Sequence, residues 1–261
     1  MNKQNKGNGR RGIEWTDYTW NPIGGCKHSC RWEMPDGTTA VCYAETVAER
    51  VAQAAYPHGF EHHYWRPELL QEPKKLATSA KIFLDSMSDL MGAWVPEEEI
   101  QQVLEICRQT PRHTYQLLTK NAPRLLKFDF PDNVWVGVSA PPSFFKGKPL
   151  SFTQQKRMVL RQLEVLSQVN VPVRWMSIEP LSFDIAHLLE NSPLAWAVIG
   201  AATNGPKTYQ PKPEWVSNVL DVLDAQDTKV FFKGNLDWTP WREDFPEIAP
   251  KAVQSTLLAG M

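Results

Sequence analysis

The chain has 261 residues, 42% of them hydrophobic and 22% charged, which fits one large globular core or at most two small ones. A net charge of −1 supplies no basic field for nucleic acid or an anionic membrane. No segment reaches the roughly eighteen consecutive apolar residues of a membrane-spanning helix.

Residues 1–12 are polar and glycine-containing and are expected to form a disordered leader, with 13–261 as a single domain. Arg10-Arg11 is followed by Gly12-Ile13-Glu14-Trp15, which supplies no apolar export segment. A cytoplasmic location is therefore expected, and there clustered thiols serve as ligands or catalysts more often than as disulfides.

Short apolar runs with the look of doubly buried strands follow at Tyr18–Gly24, Lys81–Ser86, Thr114–Thr119, Val134–Ser139, Val173–Ile178, Trp196–Ala201 and Lys229–Lys233. Amphipathic patterns lie between them. Glu97–Arg108 sets Ile100, Val103, Leu104 and Cys107 on one face behind Pro96, which makes Cys107 a core residue. Gln154–Val169 and Glu214–Leu223 repeat the pattern, and Ala44–Ala55 is a weaker, alanine-rich helix. Strand–helix alternation of this kind predicts an α/β fold: a full or partial parallel (β/α) barrel of about six to seven strands. No glycine-rich phosphate loop follows any strand, which argues against a nucleotide-binding doubly wound sheet. The tryptophans, 11 in all, are expected mainly to fill the core.

Three cysteines crowd the segment after the first strand: Gly24-Gly25-Cys26-Lys27-His28-Ser29-Cys30, then Arg31–Val41, then Cys42-Tyr43-Ala44-Glu45. One reading is a 4Fe–4S cluster held by Cys26, Cys30 and Cys42, with its fourth iron free. S-adenosylmethionine can chelate such an iron, and electron transfer then yields a 5′-deoxyadenosyl radical. A second reading is zinc on Cys26-x3-Cys30 and His58-x3-His62, although the spacing is far from a zinc finger and Cys42 is unused. A third is three free thiols, which the polar neighbours Lys27, His28, Ser29 and Arg31 make unfavourable.

The successive segments Ile13-Glu14-Trp15-Thr16-Asp17, Thr19-Trp20-Asn21-Pro22, Gly25-Cys26, Cys42-Tyr43-Ala44-Glu45, Ser86-Met87-Ser88-Asp89-Leu90 and Gln116-Leu117-Leu118-Thr119-Lys120 resemble one family. So do Trp135-Val136-Gly137-Val138-Ser139, Ser177-Ile178-Glu179-Pro180-Leu181 and Phe231-Phe232-Lys233. The family is that of phage and bacterial three-Cys-motif proteins of unknown function, radical S-adenosylmethionine-like. The resemblance implies a radical-type barrel with a cluster loop at 24–43, a 4Fe–4S cluster, S-adenosylmethionine, and a methyltransferase-like partner protein. It supplies no substrate. Two departures stand out. Arg31–Val41 separates two cysteines that the family keeps close, so joint ligation requires this insertion to fold back as a hairpin around Pro35-Asp36-Gly37. The glycine-rich segment after Trp196–Ile199 is reduced to Gly200-Ala201-Ala202-Thr203-Asn204-Gly205.

Under this resemblance the metal ligands are Cys26, Cys30 and Cys42. The cofactor-binding candidates are Tyr43, Asp85, Ser86, Ser88, Asp89, Ser139, Glu179 and Lys233. Tyr43 would meet the adenine or pack at a helix start. The oxygens of Asp85, Ser86, Ser88 and Asp89 would receive the methionyl amino group, with Asp89 alternatively a helix cap. Glu179 would bind ribose hydroxyls or substrate. Lys233 and Lys120 would bind carboxylate or phosphate, or pair with Glu179. The predicted function is hydrogen abstraction from an unknown substrate by an adenosyl radical. The rival class is a non-catalytic zinc-binding or interaction protein of phage origin, with nucleic acid as a partner that the charge does not favour.

Overall fold

The computed structural model describes residues 1–4 and 12–247. Seven parallel strands run in chain order across one sheet: β1 (Tyr18–Trp20), β2 (Lys81–Leu84), β3 (Thr114–Thr119), β4 (Val134–Ser139), β5 (Arg174–Ile178), β6 (Trp196–Ile199) and β7 (Lys229–Phe232). Each pairs in parallel with the next, as in Tyr18↔Ile82 and Val198↔Phe231. All seven predicted strands are present. An eighth, antiparallel strand, Asn2–Lys3, pairs with β1 and so gives structure to part of the segment expected to be a disordered leader. The rest of that segment, 5–11, lies outside the described residues.

Side-chain alternation gives the sheet two different faces. Ile82, Leu84, Tyr115, Leu117, Val136, Val138, Met176, Ile178, Ala197 and Ile199 point to one face, in the larger hydrophobic cluster. There they meet α1 (Glu97–Gln109), α2 (Phe152–Gln168) and α3 (Pro213–Ala225), which bury Ile100, Leu104 and Cys107, then Val159 and Leu166, then Val219 and Leu223. Cys107 is thus the core residue its position predicted. Helix α2 starts two residues before the expected boundary, because Ser151 caps it and Gln154 completes a reciprocal capping box. The alanine-rich helix is shorter than expected, ending at Arg50 and followed by a single tight turn over Gln53–Ala55.

The opposite face carries Phe83, Trp135, Trp175, Trp196, Val198 and Phe231, joined by Trp15 from the segment before β1. The rings stack edge to face, with centroid separations of 4.7 Å for Trp15–Phe83, 5.2 Å for Trp15–Trp175 and 5.6 Å for Trp135–Trp196. Each such pair adds about 0.5–1.5 kcal/mol beyond its area burial. Phe245 lies against Phe231 of the last strand at 5.4 Å, while the ammonium of Lys81, from the second strand, sits 4.5 Å above the same ring. Strands this far apart in the sheet share one cluster because the sheet curls around it.

The curl does not close by hydrogen bonding among the described residues. The outer edge of β1 is taken by Asn2–Lys3, and that of β7 by the 242–244 segment through the Phe231↔Glu243 bridge. Both edges are therefore occupied by short antiparallel additions rather than by each other. The architecture is a mixed α/β fold with a largely parallel central sheet; the full-barrel alternative lacks its closing pair. No described helix is long and apolar enough to cross a membrane.

Candidate cofactor site at the carboxyl ends of the strands

The period of two that puts aromatic rings on the inner face also sets the residues above them. Phe83 is followed two places on by Asp85, Leu118 by Lys120, Gly137 by Ser139, Ser177 by Glu179 and Phe231 by Lys233. All of these polar residues, with the three cysteines, line one cavity of about 260 Å³. Asp85, Ser139, Glu179 and Lys233, named as candidates from the sequence, thus converge with Lys120.

The cysteine loop is shaped by its neighbours. Gly25 has φ +82°, and a Cβ there would fall 1.8 Å from the carbonyl oxygen of His62, so only glycine fits. Its N–H donates to the Met87 carbonyl, and Ser88 Oγ donates to the Gly25 carbonyl at 2.7 Å. The insertion Arg31–Val41 is an antiparallel hairpin, with Arg31↔Val41, Trp32↔Ala40 and Glu33↔Thr39 in register. At its base the Cys42 N–H donates to the Cys30 carbonyl at 3.2 Å. Arg31 forks onto the Glu45 carboxylate at 2.7 and 2.6 Å, bracing the base from outside. The fold-back that the long gap required is therefore present.

Burial pushes the Cys30 thiol up to about 12, against the pull of the Lys120 ammonium, and burial also raises Cys26 well above the usual thiol range. Burial works against the Lys120 ammonium, but its surroundings, Cys30, Cys42, Asp89 and Cys26, outweigh that and raise it above the usual range. Lys120 Nζ donates to Ser139 Oγ at 3.0 Å. Among the described residues no group of three or more His, Cys, Asp or Glu side chains is arranged to hold a single metal ion. Cys26, Cys30, His58 and His62 do not assemble into a zinc site; the two imidazoles instead lie 5.1 Å apart beside Tyr64.

The aspartates of the second strand end differ. Asp89 Oδ2 accepts from His28 Nε2 at 2.7 Å and from the Lys120 N–H at 2.9 Å, and Oδ1 accepts from Thr119 Oγ1 and the Met91 N–H. Burial opposes its charge, but these donors outweigh that and keep the carboxyl below the usual range. Asp85 Oδ1 accepts from the Ile23 N–H, whereas its buried Oδ2 has no protein partner and burial raises the group well above the usual range. Ser86 Oγ donates to Asn21 Oδ1, and Tyr43 stands beside it on the cavity wall. Glu179 resembles Asp85: Oε1 is buried without a hydrogen bond, 3.8 Å from Lys233 Nζ, and burial raises the carboxyl.

As site residues, sequence reasoning missed His28, Trp32 and Met34. His28 is packed between Phe145 and Trp94 and anchored on Asp89. Asn235 pairs with both the N–H and the carbonyl of Ala201, fixing the strand end that lost its glycines. For Trp32 and Met34, the alternation of apolar and polar residues across the insertion was the available signal.

Together the curled parallel sheet and the polar cavity at its carboxyl ends define an α/β protein with a candidate cofactor site. The chain belongs to the DUF5131 family, described as proteins of unknown function, whose profile matches residues 10–260. No curated protein matches it. Its fold is similar to two point mutants of spore photoproduct lyase. One has TM-score 0.55 and 12% identity, covering 84% of this chain and 77% of that one. The other has TM-score 0.53 and 11% identity, covering 83% and 76%. Spore photoproduct lyase complexed with dinucleoside spore photoproduct gives TM-score 0.48 at 11% identity over 80% of this chain, which spans 61% of that protein's length. Neither the family nor these structures carries the three-Cys-motif or phage label.

Proposed function

We propose that this protein is a radical S-adenosylmethionine-type iron–sulfur protein with a partial (β/α) barrel, acting by hydrogen abstraction on an unidentified substrate. The observation that carries the reading is the Arg31–Val41 hairpin, whose register sets Cys30 and Cys42 side by side on a cavity that Cys26 also lines. Three thiols lining one cavity are the donor set that a 4Fe–4S cluster with one open iron takes, one thiolate to each of three irons. The fold likeness to spore photoproduct lyase agrees with this at the level of architecture.

Cys26, Cys30 and Cys42 would hold a 4Fe–4S cluster, which with S-adenosylmethionine supplies radical chemistry at that wall. Lys120 keeps positive charge beside Cys30, where it opposes the burial that raises that thiol. The free Oδ2 of Asp85 suits an ammonium donor, and Lys120 with Ser139 suits a carboxylate. Asp89 fills its acceptor sites with protein donors and fixes Lys120, while Ser88 donates to Gly25 and keeps its Oγ lone pairs to accept from the same ammonium donor as Asp85. Glu179 and Lys233 stand on the far wall, facing substrate or ribose. The aromatic cluster below closes the cavity floor to water.

Anaerobic purification followed by assay of iron, acid-labile sulfide and zinc tests the reading. About four irons with matching sulfide are expected; one tightly held zinc without iron contradicts it.

A further inference from the structure

The Arg31–Val41 insertion does more than bring two cysteines together. Along its strands Trp32, Met34 and Ala40 share one face and line the cavity, while Arg31, Glu33 and Thr39 point away. Met34 is 4% exposed and Ala40 likewise 4%, while Trp32 is half-buried. On one side the hairpin continues into the Phe144–Phe145 and Lys148–Pro149 strands, completing a four-stranded antiparallel sheet. That side is the hinge: the Glu33 N–H donates to Ser143 Oγ at 3.0 Å, and the Lys146 N–H donates to the His28 carbonyl at 2.6 Å.

The tip reaches across to a second hairpin, Ala202–Asn204 paired with Lys207–Tyr209, which follows β6. Asp36, in the turn, accepts from Tyr209 Oη at 2.6 Å and faces Lys207 Nζ at 3.3 Å. Asn204 Nδ2 donates to Thr38 Oγ1 at 3.2 Å. These are polar side-chain contacts at an exposed tip, whereas on the hinge side Phe145 stacks on the buried His28 at 4.8 Å and Phe144 pairs with Arg31. Exposed polar contacts each contribute about 1 kcal/mol or less, so the tip is the side that releases first.

We infer that the Arg31–Val41 hairpin is a latched roof over the cavity, closed by Asp36 on Tyr209 and Lys207, with Trp32 and Met34 as its specificity-determining face. Opening at the latch swings Trp32 and Met34 off the cavity and enlarges its mouth for a bulky substrate. Because Cys30 and Cys42 form the base of the same hairpin, the hinge leaves their mutual hydrogen bond in place while the tip moves. The inference concerns access to the cavity and stands whether or not the thiols hold iron.

Hydrogen exchange followed by mass spectrometry on the full chain tests the latch. Tyr209→Phe, which removes one latch hydrogen bond and leaves the turn intact, should speed exchange of the 31–41 amides about fivefold, and Asp36→Ala, which also removes the Thr38 contacts within the turn, about tenfold. The α1 peptide 97–109 should be unaffected in both. Unchanged exchange at 31–41, or equal acceleration in both peptides, overturns the latch. For the specificity face, Trp32→Ala on chelator-treated full chain should raise alkylation of Cys30 by a bulky dye maleimide about tenfold, with iodoacetamide little changed. Equal effects on the two reagents would show that Trp32 does not limit access.

Discussion

Asp85 and Asp89 sit one turn apart at the end of β2, both buried, and their surroundings drive them in opposite directions. Asp89 is a carboxylate caged by four donors; Asp85 keeps one oxygen with nothing to accept from. A carboxyl whose folded pKa is raised binds more protons folded than unfolded, so stability falls as pH rises from the unfolded value, near 4, through the folded one. Asp85→Asn keeps the Ile23 N–H bond and removes the buried charge. It should raise stability at pH 7 by about 1 kcal/mol, or roughly 2–4 °C in Tm, with the gain shrinking towards pH 4. Thermal unfolding across that range checks this, and a lower Tm at pH 7 would mean Oδ2 has a partner. The sequence placed both aspartates at the site but could not separate them, because the donors on Asp89 come from His28, Thr119 and Lys120, distant in the chain.

Among the elements, the strands were the most legible, since doubly buried parallel strands read as unbroken apolar runs and β3 and β4 have the expected limits. Less legible was why β4 carries Gly137. A Cβ there would fall 2.4 Å from the Trp175 indole of the neighbouring strand, so the glycine makes room for that ring on the inner face. Gly137→Ala should destabilise by about 1–3 kcal/mol through overpacking, measurable as a lower Tm with altered near-ultraviolet circular dichroism of the tryptophan cluster. An unchanged Tm would show that the ring can shift without cost. The insertion was half legible: Pro35-Asp36-Gly37 gave its turn, and joint ligation required its fold-back. Its pairing with Phe144–Phe145 and its contact with Tyr209 depend on partners more than a hundred residues away, beyond any local pattern.

At the scale of the molecule, sequential parallel strands make each carboxyl end face the same cavity, which is why scattered polar residues such as Lys120, Ser139 and Glu179 became one site. Barrel closure was not legible, since it turns on what occupies the sheet edges, and Asn2–Lys3 carries no apolar signal. The three cysteines were legible as a set from spacing alone, and the hairpin supplies the geometry that spacing left open. The central claim, that these thiols support cleavage of S-adenosylmethionine, is tested by 5′-deoxyadenosine formation. The anaerobic protein, given S-adenosylmethionine and a strong reductant, should release 5′-deoxyadenosine, and Cys42→Ala should abolish that release together with the bound iron. No 5′-deoxyadenosine from iron-replete protein, or an undiminished yield from Cys42→Ala, would contradict the account.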